Sequence, residues 1–183
     1  MTDVDTEICN ARDAGKYVYI SDMSGKAETF FEYGTNYLRY DFHGDVKKAI
    51  IKKSISKDEV AENLRTKIKH ALKRGQLLVI NCDTMVPAFK TDYNKPDKKV
   101  PLENLIFDRA AFTDGENYKA ILKDGEDVDD HGNVGMFMMK PDFNIIILHN
   151  MSDMDCDDEI VQMLLDEIFH IEDFQKIYIE PTE

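Results

Sequence analysis

The chain has 183 residues, of which 43% are hydrophobic, and its formal net charge is −13. This length is enough for one domain with a well-buried core, while the acidic charge disfavours nucleic acid and anionic membranes as partners because it repels phosphate groups. The three cysteines are far apart and form neither a disulfide framework nor a zinc-ligand pattern, and no apolar run approaches the roughly 20 residues that span a bilayer. We therefore expect a cytoplasmic protein that neither enters a membrane nor binds nucleic acid.

Strands and helices alternate along the first part of the chain, after a polar lead-in at residues 1–15. β-branched and aromatic runs predict strands, and runs of good helix formers predict helices. The predicted elements are a strand at Tyr17–Ser21, a helix at Ala27–Tyr33 that ends at Gly34, a strand at Tyr37–Phe42 with a turn at His43–Asp45, and a short helix at Lys47–Lys53.

The clearest helix runs from Lys57 to Arg74. Ser56 and Glu59 form a capping box before it, an apolar residue recurs every three or four positions along it, and Gly75 ends it. The continuous apolar run that follows, Leu77–Ile80, is typical of a strand covered on both faces, as in parallel sheets between helices.

Residues 83–140 are rich in proline, glycine and charged residues and predict a loop-rich insertion, in which Val134–Met139 is a candidate short strand or edge element. Regular elements return after it. They are a strand at Phe143–Leu148, an amphipathic helix at Ile160–Ile171 and a last strand at Lys176–Ile179. This alternation predicts one α/β domain over residues 16–183, built on an open, doubly wound parallel sheet.

A Gly25-Lys26 turn joins the first predicted strand to the first predicted helix, which is where a P-loop NTPase holds phosphate. The pattern G-x-x-x-x-G-K-[ST] is incomplete, because Ile20 replaces its first glycine and Ala27 replaces its hydroxyl residue. The turn therefore has the setting of a phosphate site without the full set of groups that such a site uses.

The segment Ile20–Phe30, I-S-D-M-S-G-K-A-E-T-F, resembles the strand-to-helix turn of the fifth AAA+ module of dynein heavy chains, I-D-P-Q-G-Q-A. It resembles more closely the C-terminal region of the IQ-motif and ankyrin-repeat proteins, I-D-P-S-G-Q-A-A-T-F, and Ala71–Ile80 is similar to A-L-R-Y-G-K-P-L-V-F of that family. Weaker similarity follows at Thr113–Tyr118 and Phe143–Asn150. The resemblance covers residues 16–180 and implies a degenerate AAA+ large subdomain of P-loop NTPase type, with five parallel strands in the order 5-1-4-3-2 and no helical lid.

The resemblance also defines what a nucleotide site would need. The acids that end the third strand of an active AAA+ site align with Asn81 and Cys82, and Ala27 cannot bind Mg²⁺. We therefore expect a non-catalytic structural or protein-binding module with no catalytic residue and no metal. The alternative is a weak nucleotide-binding regulator or feeble NTPase. It would hold ATP or ADP with Ser24, Gly25, Lys26 and the sensor-position residue Asn150.

Basic residues are concentrated between Asp45 and Gly75. Such asymmetry in an acidic chain is typical of solvated helix faces, and it can also steer a partner. The candidate partner contact is formed by Lys47, Lys48, Lys52 and Lys53. By analogy with dynein, the expected partner is a protein of a ciliary, axonemal or other microtubule-associated assembly.

Cys82 and His149 both follow predicted parallel strands, whose carboxyl ends meet at one edge of a sheet. Such neighbours could form a nucleophile and base pair, although a buried cysteine that acts as a small hydrophobic residue is the favoured interpretation. The acids between Asp153 and Glu159 are expected to cap the start of a helix and not to bind metal.

The segment Asp127–Gly132 imitates the start of a calcium-binding loop. It has His131 at the fifth position and Met138 where a bidentate glutamate is required, so a solvated turn is the favoured interpretation. The neighbouring Met136–Met139 is interpreted as core packing or an edge element, with an adaptable partner surface as the alternative.

Overall fold

Residues 2–152 and 158–181 are described by a computed structural model of the chain. Five strands form one sheet in which all paired neighbours are parallel. In chain order they are β1 (Val18–Asp22), β2 (Tyr37–Asp41), β3 (Leu77–Asn81), β4 (Asn144–Asn150) and β5 (Gln175–Ile179). They lie in the order β2-β3-β4-β1-β5, which is the predicted order 5-1-4-3-2 counted from the opposite edge. The predicted α/β class and open parallel sheet are therefore confirmed.

Helices cover both faces of this sheet. Within the described residues the α-helices are α1 (Thr2–Asp13), α2 (Ala27–Tyr33), α3 (Phe42–Lys47), α4 (Lys57–Arg74), α5 (Arg109–Thr113) and α6 (Asp158–Asp166). On one face, Ile8 of α1 and Phe31 of α2 pack with Ile20, and on the other, Leu64 of α4 packs in the cluster that contains Tyr19. None of the helices in these ranges has the length and apolar character needed to cross a bilayer.

Helix α4 begins and ends where the sequence predicts. The Ser56 hydroxyl accepts a hydrogen bond from the Glu59 N–H (3.1 Å), and the Glu59 carboxylate accepts one from the Ser56 N–H (2.7 Å). At the other end Gly75 adopts a left-handed conformation with φ +66°, which glycine reaches without a steric penalty. The helix therefore delivers the chain into β3 after one short turn.

One prediction for residues 43–53 is wrong, and a second is confirmed in part. The expected turn at His43–Asp45 lies within α3, because the carboxylate of Asp41 caps that helix by accepting the Gly44 N–H at 2.9 Å. The expected helix at Lys47–Lys53 is the end of α3 followed by one π-helical turn, Lys48–Lys52. Local helix signals were present here, but the cap at Asp41 set the start of the helix.

Two later predictions also differ from the structure. The candidate strand at Val134–Met139 is not a strand, and its only pairing within the described residues is an isolated antiparallel bridge from Val134 to Val128. The helix predicted at Ile160–Ile171 ends at Asp166, and a 3₁₀ turn forms at Ile171–Asp173. Of the acids expected to cap this helix, Asp158 and Glu159 lie in its first turn, and those at positions 153–157 lie outside the described residues.

The insertion at residues 83–140 forms a packed layer over the α4 face of the sheet. Five of its aromatic residues are at most 1% exposed, namely Phe89, Tyr93, Phe107, Phe112 and Phe137. Phe89 bridges the insertion to α3, since its ring centroid lies 5.0 Å from that of Phe42 and 5.1 Å from that of Phe107. The segment is irregular in backbone and buried in its side chains.

Buried charges join this insertion to α4. The guanidinium group of Arg65, whose side chain is 1% exposed, donates to Glu62 of its own helix and to Glu126 of the insertion, with Nη1 2.6 Å from Glu126 Oε2. Burial opposes the ionised form of Glu126, but hydrogen bonds from Arg65, the Lys123 N–H and Lys69 outweigh it and lower the pKa of Glu126 to about 2. A buried arginine is tolerated only when its donors are satisfied.

We predict that Glu126→Gln lowers the free energy of unfolding by about 2–3 kcal/mol at neutral pH, because Arg65 and Lys69 lose a charged acceptor. Since the folded pKa of Glu126 lies below its ordinary value of 4.5, its contribution is fully present above that value and is lost as the pH falls towards about 2. Denaturant unfolding of both proteins across this range should therefore give curves that converge in acid.

The matched control is Glu116→Gln, whose side chain is 71% exposed and pairs with Lys119 on the surface. It should change stability little at any pH, because exposed ion pairs are screened by solvent. A difference between wild type and Glu126→Gln that does not depend on pH would contradict the prediction.

Candidate functional site

The Gly25-Lys26 turn and the end of β4 meet at the carboxyl edge of the sheet, as the parallel arrangement predicts. Asp22, the last residue of β1, is the register partner of Asn150. The backbone continues this contact beyond the strands, because the Met151 N–H donates to the Asp22 carbonyl oxygen at 2.7 Å. In open α/β sheets this edge is the usual place for a ligand.

The carboxylate of Asp22 occupies the turn between β1 and α2. Asp22 is only 1% exposed. Its Oδ1 accepts hydrogen bonds from the Ser24 N–H at 2.8 Å and the Ser24 hydroxyl at 2.6 Å, and its Oδ2 accepts one from the N–H of Ala27 at 2.7 Å. Ala27 is the first residue of α2. The N–H groups that would face a phosphate in a nucleotide-binding loop are therefore directed at a carboxylate of the chain itself.

Sequence reasoning did not single out Asp22 as a functional residue. A usable signal was present, because an aspartate two residues before a serine in a glycine-containing turn is typical of a side chain that accepts backbone N–H groups ahead of it. The P-loop comparison directed attention to Gly25 and Lys26 instead.

Gly25 is required for both the conformation and the packing of the turn. Its φ is +70°, and a Cβ atom built on it would lie 3.1 Å from the Ser152 hydroxyl oxygen, closer than ordinary van der Waals contact. The Ser24 hydroxyl also accepts the Lys26 N–H at 3.2 Å. Ser24 and Gly25 are thus used within the turn and against the segment after β4.

Lys26 differs from its neighbours in the turn. It is exposed, and within residues 2–152 and 158–181 its ammonium group has no hydrogen bond or ion pair. Asn150, in contrast, uses its side-chain oxygen to accept the N–H of Ser152 at 3.2 Å and the Ser152 hydroxyl at 2.9 Å. The structure therefore brings Gly25 and Asn150 together around Ser152, holds Ser24 on Asp22, and leaves Lys26 as the solvent-facing cation.

The groups after β3 are also satisfied within the chain. The Asn81 side-chain oxygen accepts the N–H of Asp83 at 2.9 Å, and Asp83 has a left-handed backbone with φ +52°. The Asp83 carboxylate lies 3.1 Å from Nδ1 of His43. Asp83, the acid that follows β3, thus contacts His43 of α3.

Cys82 and His149 are both fully buried at this edge, and they do not form a nucleophile and base pair. The Nε2–H of His149 donates to the Met85 carbonyl oxygen at 3.1 Å, and the hydrogen-bond acceptor of the Cys82 thiol is the Ile80 carbonyl oxygen. Burial lowers the pKa of His149 to about 4 and raises the pKa of the Cys82 thiol. A neutral thiol beside a poorly basic imidazole is not activated for attack.

The calcium-like segment folds as a self-satisfied turn. The Asp129 carboxylate accepts the N–H groups of His131 and Asn133 at 2.8 and 2.9 Å and the Asn133 side-chain amide at 2.7 Å. Asp127 accepts the Phe137 N–H at 2.9 Å. These oxygens already serve backbone donors, which agrees with a solvated turn.

One group of potential metal ligands occurs among the described residues. His170, Glu172 and Asp173 each offer a ligand atom within 4.8 Å of the others. The His170 Nε2 already lies 2.7 Å from the Glu103 carbonyl oxygen, and both acids are exposed. Exposed acidic groups are common without an ion, so no metal is assigned here.

The four lysines of the predicted partner contact lie together on one exposed segment, which we call the lysine ridge (residues 47–53). Lys47, Lys48, Lys52 and Lys53 are all exposed. Lys48 is anchored by Asp45 at 2.7 Å. Burial opposes ionisation of Asp45, but hydrogen bonds from Lys48, Asn63 and Tyr40 outweigh it and hold the pKa of its carboxyl below the ordinary value. The base of the ridge is therefore rigidly attached to α3 and α4.

We predict that Asp22→Asn lowers the free energy of unfolding by about 1–3 kcal/mol, because the amide can serve the donors of Ser24 or that of Ala27 but not both. Chemical denaturation measures the change. Asp13→Asn, on a side chain that is 68% exposed, is the matched control and should have little effect. Equal stability of Asp22→Asn and wild type would show that the carboxylate does not hold the turn.

Comparisons with family models, with curated proteins and with solved structures found no match to this chain. The geometry supports an all-parallel five-stranded α/β sheet compatible with a Rossmann-like fold. The AAA+ resemblance thus remains a prediction based on the motifs in the sequence.

Proposed function

We propose that this chain is a non-catalytic AAA+-like module that acts as a structural or protein-binding component. The observation that supports the proposal is the buried Asp22 carboxylate, which accepts the N–H groups of Ser24 and Ala27. A phosphate at the same turn would need those donors and would meet a fixed negative charge instead. The fold of an NTPase is thereby retained without an open phosphate cradle.

A second candidate function is weak nucleotide binding, and the exposed Lys26 is the observation that favours it. A lysine beside a strand-to-helix turn can attract the outer phosphates of ATP or ADP without help from backbone donors. In this alternative Ser24, Gly25 and Asn150 would line the nucleotide, and they would first have to release Asp22 and Ser152.

We predict that thermal unfolding is unchanged by ATP or ADP with Mg²⁺ at millimolar concentration. A ligand present at one hundred times its Kd would add about 2.7 kcal/mol of stability, so binding at that level would raise the melting temperature visibly. Lys26→Ala is the control. An upward shift in wild type that is absent in this variant would overturn the proposal in favour of the nucleotide-binding regulator.

The proposed partner is a protein, and the proposed contact is the lysine ridge. A short segment with four exposed lysines in a chain of net charge −13 presents a local positive surface within an acidic field. Membership of a ciliary, axonemal or other microtubule-associated assembly in the cytoplasm is proposed from the dynein resemblance alone, and a fold does not by itself determine a partner.

We predict that reversing the four ridge lysines to glutamate weakens binding to the partner by at least about tenfold, because the attraction becomes repulsion. Quantitative pull-down of the partner from native material measures this. Lys98→Glu combined with Lys99→Glu, at another exposed site, controls for added negative charge. Equal recovery with the ridge variant and with wild type would remove the ridge from the interface.

A further inference from the structure

The lysine ridge also exposes two large apolar side chains. Ile50 is 51% exposed and Ile51 is 71% exposed, and they lie in the π-helical turn Lys48–Lys52. A pair of lysines precedes them and a second pair follows them in the sequence. The ridge is therefore an apolar centre with a positive rim, which is the arrangement of a protein-binding hot spot surrounded by polar residues.

The backbone holds these isoleucines outward. The π-helical turn ends at Lys52, and the next residue, Lys53, has a left-handed conformation with φ +51°, which is uncommon for a residue with a side chain. Ala49 and Ile55, on either side, pack against the core. These two residues anchor the segment to the core. Ile50 and Ile51 are therefore exposed on a segment that is itself held in place. Short π-helical turns occur often at functional sites.

The surface of α6 has the complementary pattern. Leu164 and Leu165 of this helix face inward, whereas Met163 is 49% exposed. Met163 lies in an open depression on the protein surface that is lined by Asp158, Glu159, Gln162, Met163, Asp166 and Glu167. We call this surface the α6 face. It has an apolar centre with a negative rim, and methionine adapts readily to the shape of an apolar partner.

We propose that the lysine ridge of one copy of this chain docks on the α6 face of a second copy. Ile50 and Ile51 would contact Met163, and the ridge lysines would face the carboxylates around it. The inference rests on the proposed function, because both assign protein binding to the ridge, and it identifies the partner as the chain itself. The apolar centre supplies affinity, and the charged rims determine register and partner choice.

A second copy fits the charges better than a membrane or a nucleic acid does. At physiological salt only charges within about 8 Å of the contact contribute much for any of these partners. A membrane or a nucleic acid presents phosphates across its whole surface, whereas the α6 face of a second copy presents its carboxylates around the apolar Met163, which can meet the apolar centre of the ridge. Local complementarity therefore decides the contact.

This contact joins two different surfaces, so it is heterologous. Each copy uses its ridge on one neighbour and leaves its α6 face for another. Repetition of such a contact gives a ring if the rotation closes and an open chain of copies if it does not. Assembly should therefore grow with concentration and weaken with salt.

Sedimentation velocity of the full chain tests the inference. At about 0.15 M salt the average mass of wild type should rise with concentration, and about 0.5 M salt should reverse the rise because it screens the charged rims. Lys52→Glu with Lys53→Glu impairs only the ridge, and Glu159→Lys with Asp166→Lys impairs only the α6 face. Each variant alone should lose association by about tenfold or more.

An equimolar mixture of these two variants provides the sharpest test. The ridge variant keeps an intact α6 face and the α6 variant keeps an intact ridge, so one native contact remains between them. The two altered surfaces also carry opposite charges, so the mixture should recover the association that each variant lacks alone. Lys98→Glu with Lys99→Glu should assemble as wild type does, and equal melting temperatures would show that the variants are folded.

The inference fails if wild type keeps the mass of one chain at all concentrations, or if the variants assemble as wild type does. It also fails if the mixed variants do not pair, or if wild type floats with phosphatidylserine vesicles through its ridge lysines, which would assign the ridge to a membrane. A single-chain mass at all concentrations, with a melting temperature that nucleotide does not change, would overturn this inference and leave the non-catalytic proposal intact. The two failures are therefore distinguishable. If a variant does not fold, the salt dependence of wild type still decides the outcome.

Discussion

The hydrogen bonds accepted by the Asp22 carboxylate are the constraint on which the carboxyl edge of the sheet depends. They join the end of β1 to the start of α2 through Ser24 and Ala27, and they satisfy donors that a helix start otherwise leaves free. The chain places its own anion at a strand-to-helix turn, a position where backbone N–H groups can otherwise bind a foreign anion. An interaction that stabilises the fold therefore also opposes the ligand for which such a turn is suited.

The rest of the edge follows the same pattern of internal satisfaction. Asn150 is engaged by Ser152, Asn81 by the N–H of Asp83, and the Asp83 carboxylate lies beside His43. The polar residues that end β1, β3 and β4 are thus used to connect neighbouring segments. The insertion is attached to the α4 face of the sheet in a comparable way, through the guanidinium group of Arg65 and a layer of aromatic rings.

Most regular elements could be predicted from local patterns. Helix α4 has a capping box, an apolar stripe and a terminal glycine, and its structure begins and ends with those signals. The apolar runs at Leu77 and Ile145 are strands covered on both faces. The insertion could not be predicted in the same way, because its backbone has no regular period, and its order comes from contacts between residues far apart, such as Phe42 with Phe89. The short strand or edge element expected at Val134–Met139 did not form a strand for the same reason, since among residues 2–152 and 158–181 it pairs only through the bridge from Val134 to Val128.

The sequence by itself determined the alternation of strands and helices and the parallel sheet, because periodicity and chain connectivity leave few other arrangements. The strand order and the placing of Asn150 near the Gly25 turn were implied by the AAA+ resemblance. The sequence also showed that the phosphate-binding pattern is incomplete. Only the tertiary structure decided that Asp22 fills the turn and that Lys26 faces solvent. The physical reason is that hydrogen bonding and burial depend on which groups converge in space. A residue type and its spacing name the donors and acceptors, but the fold decides which of them are already used.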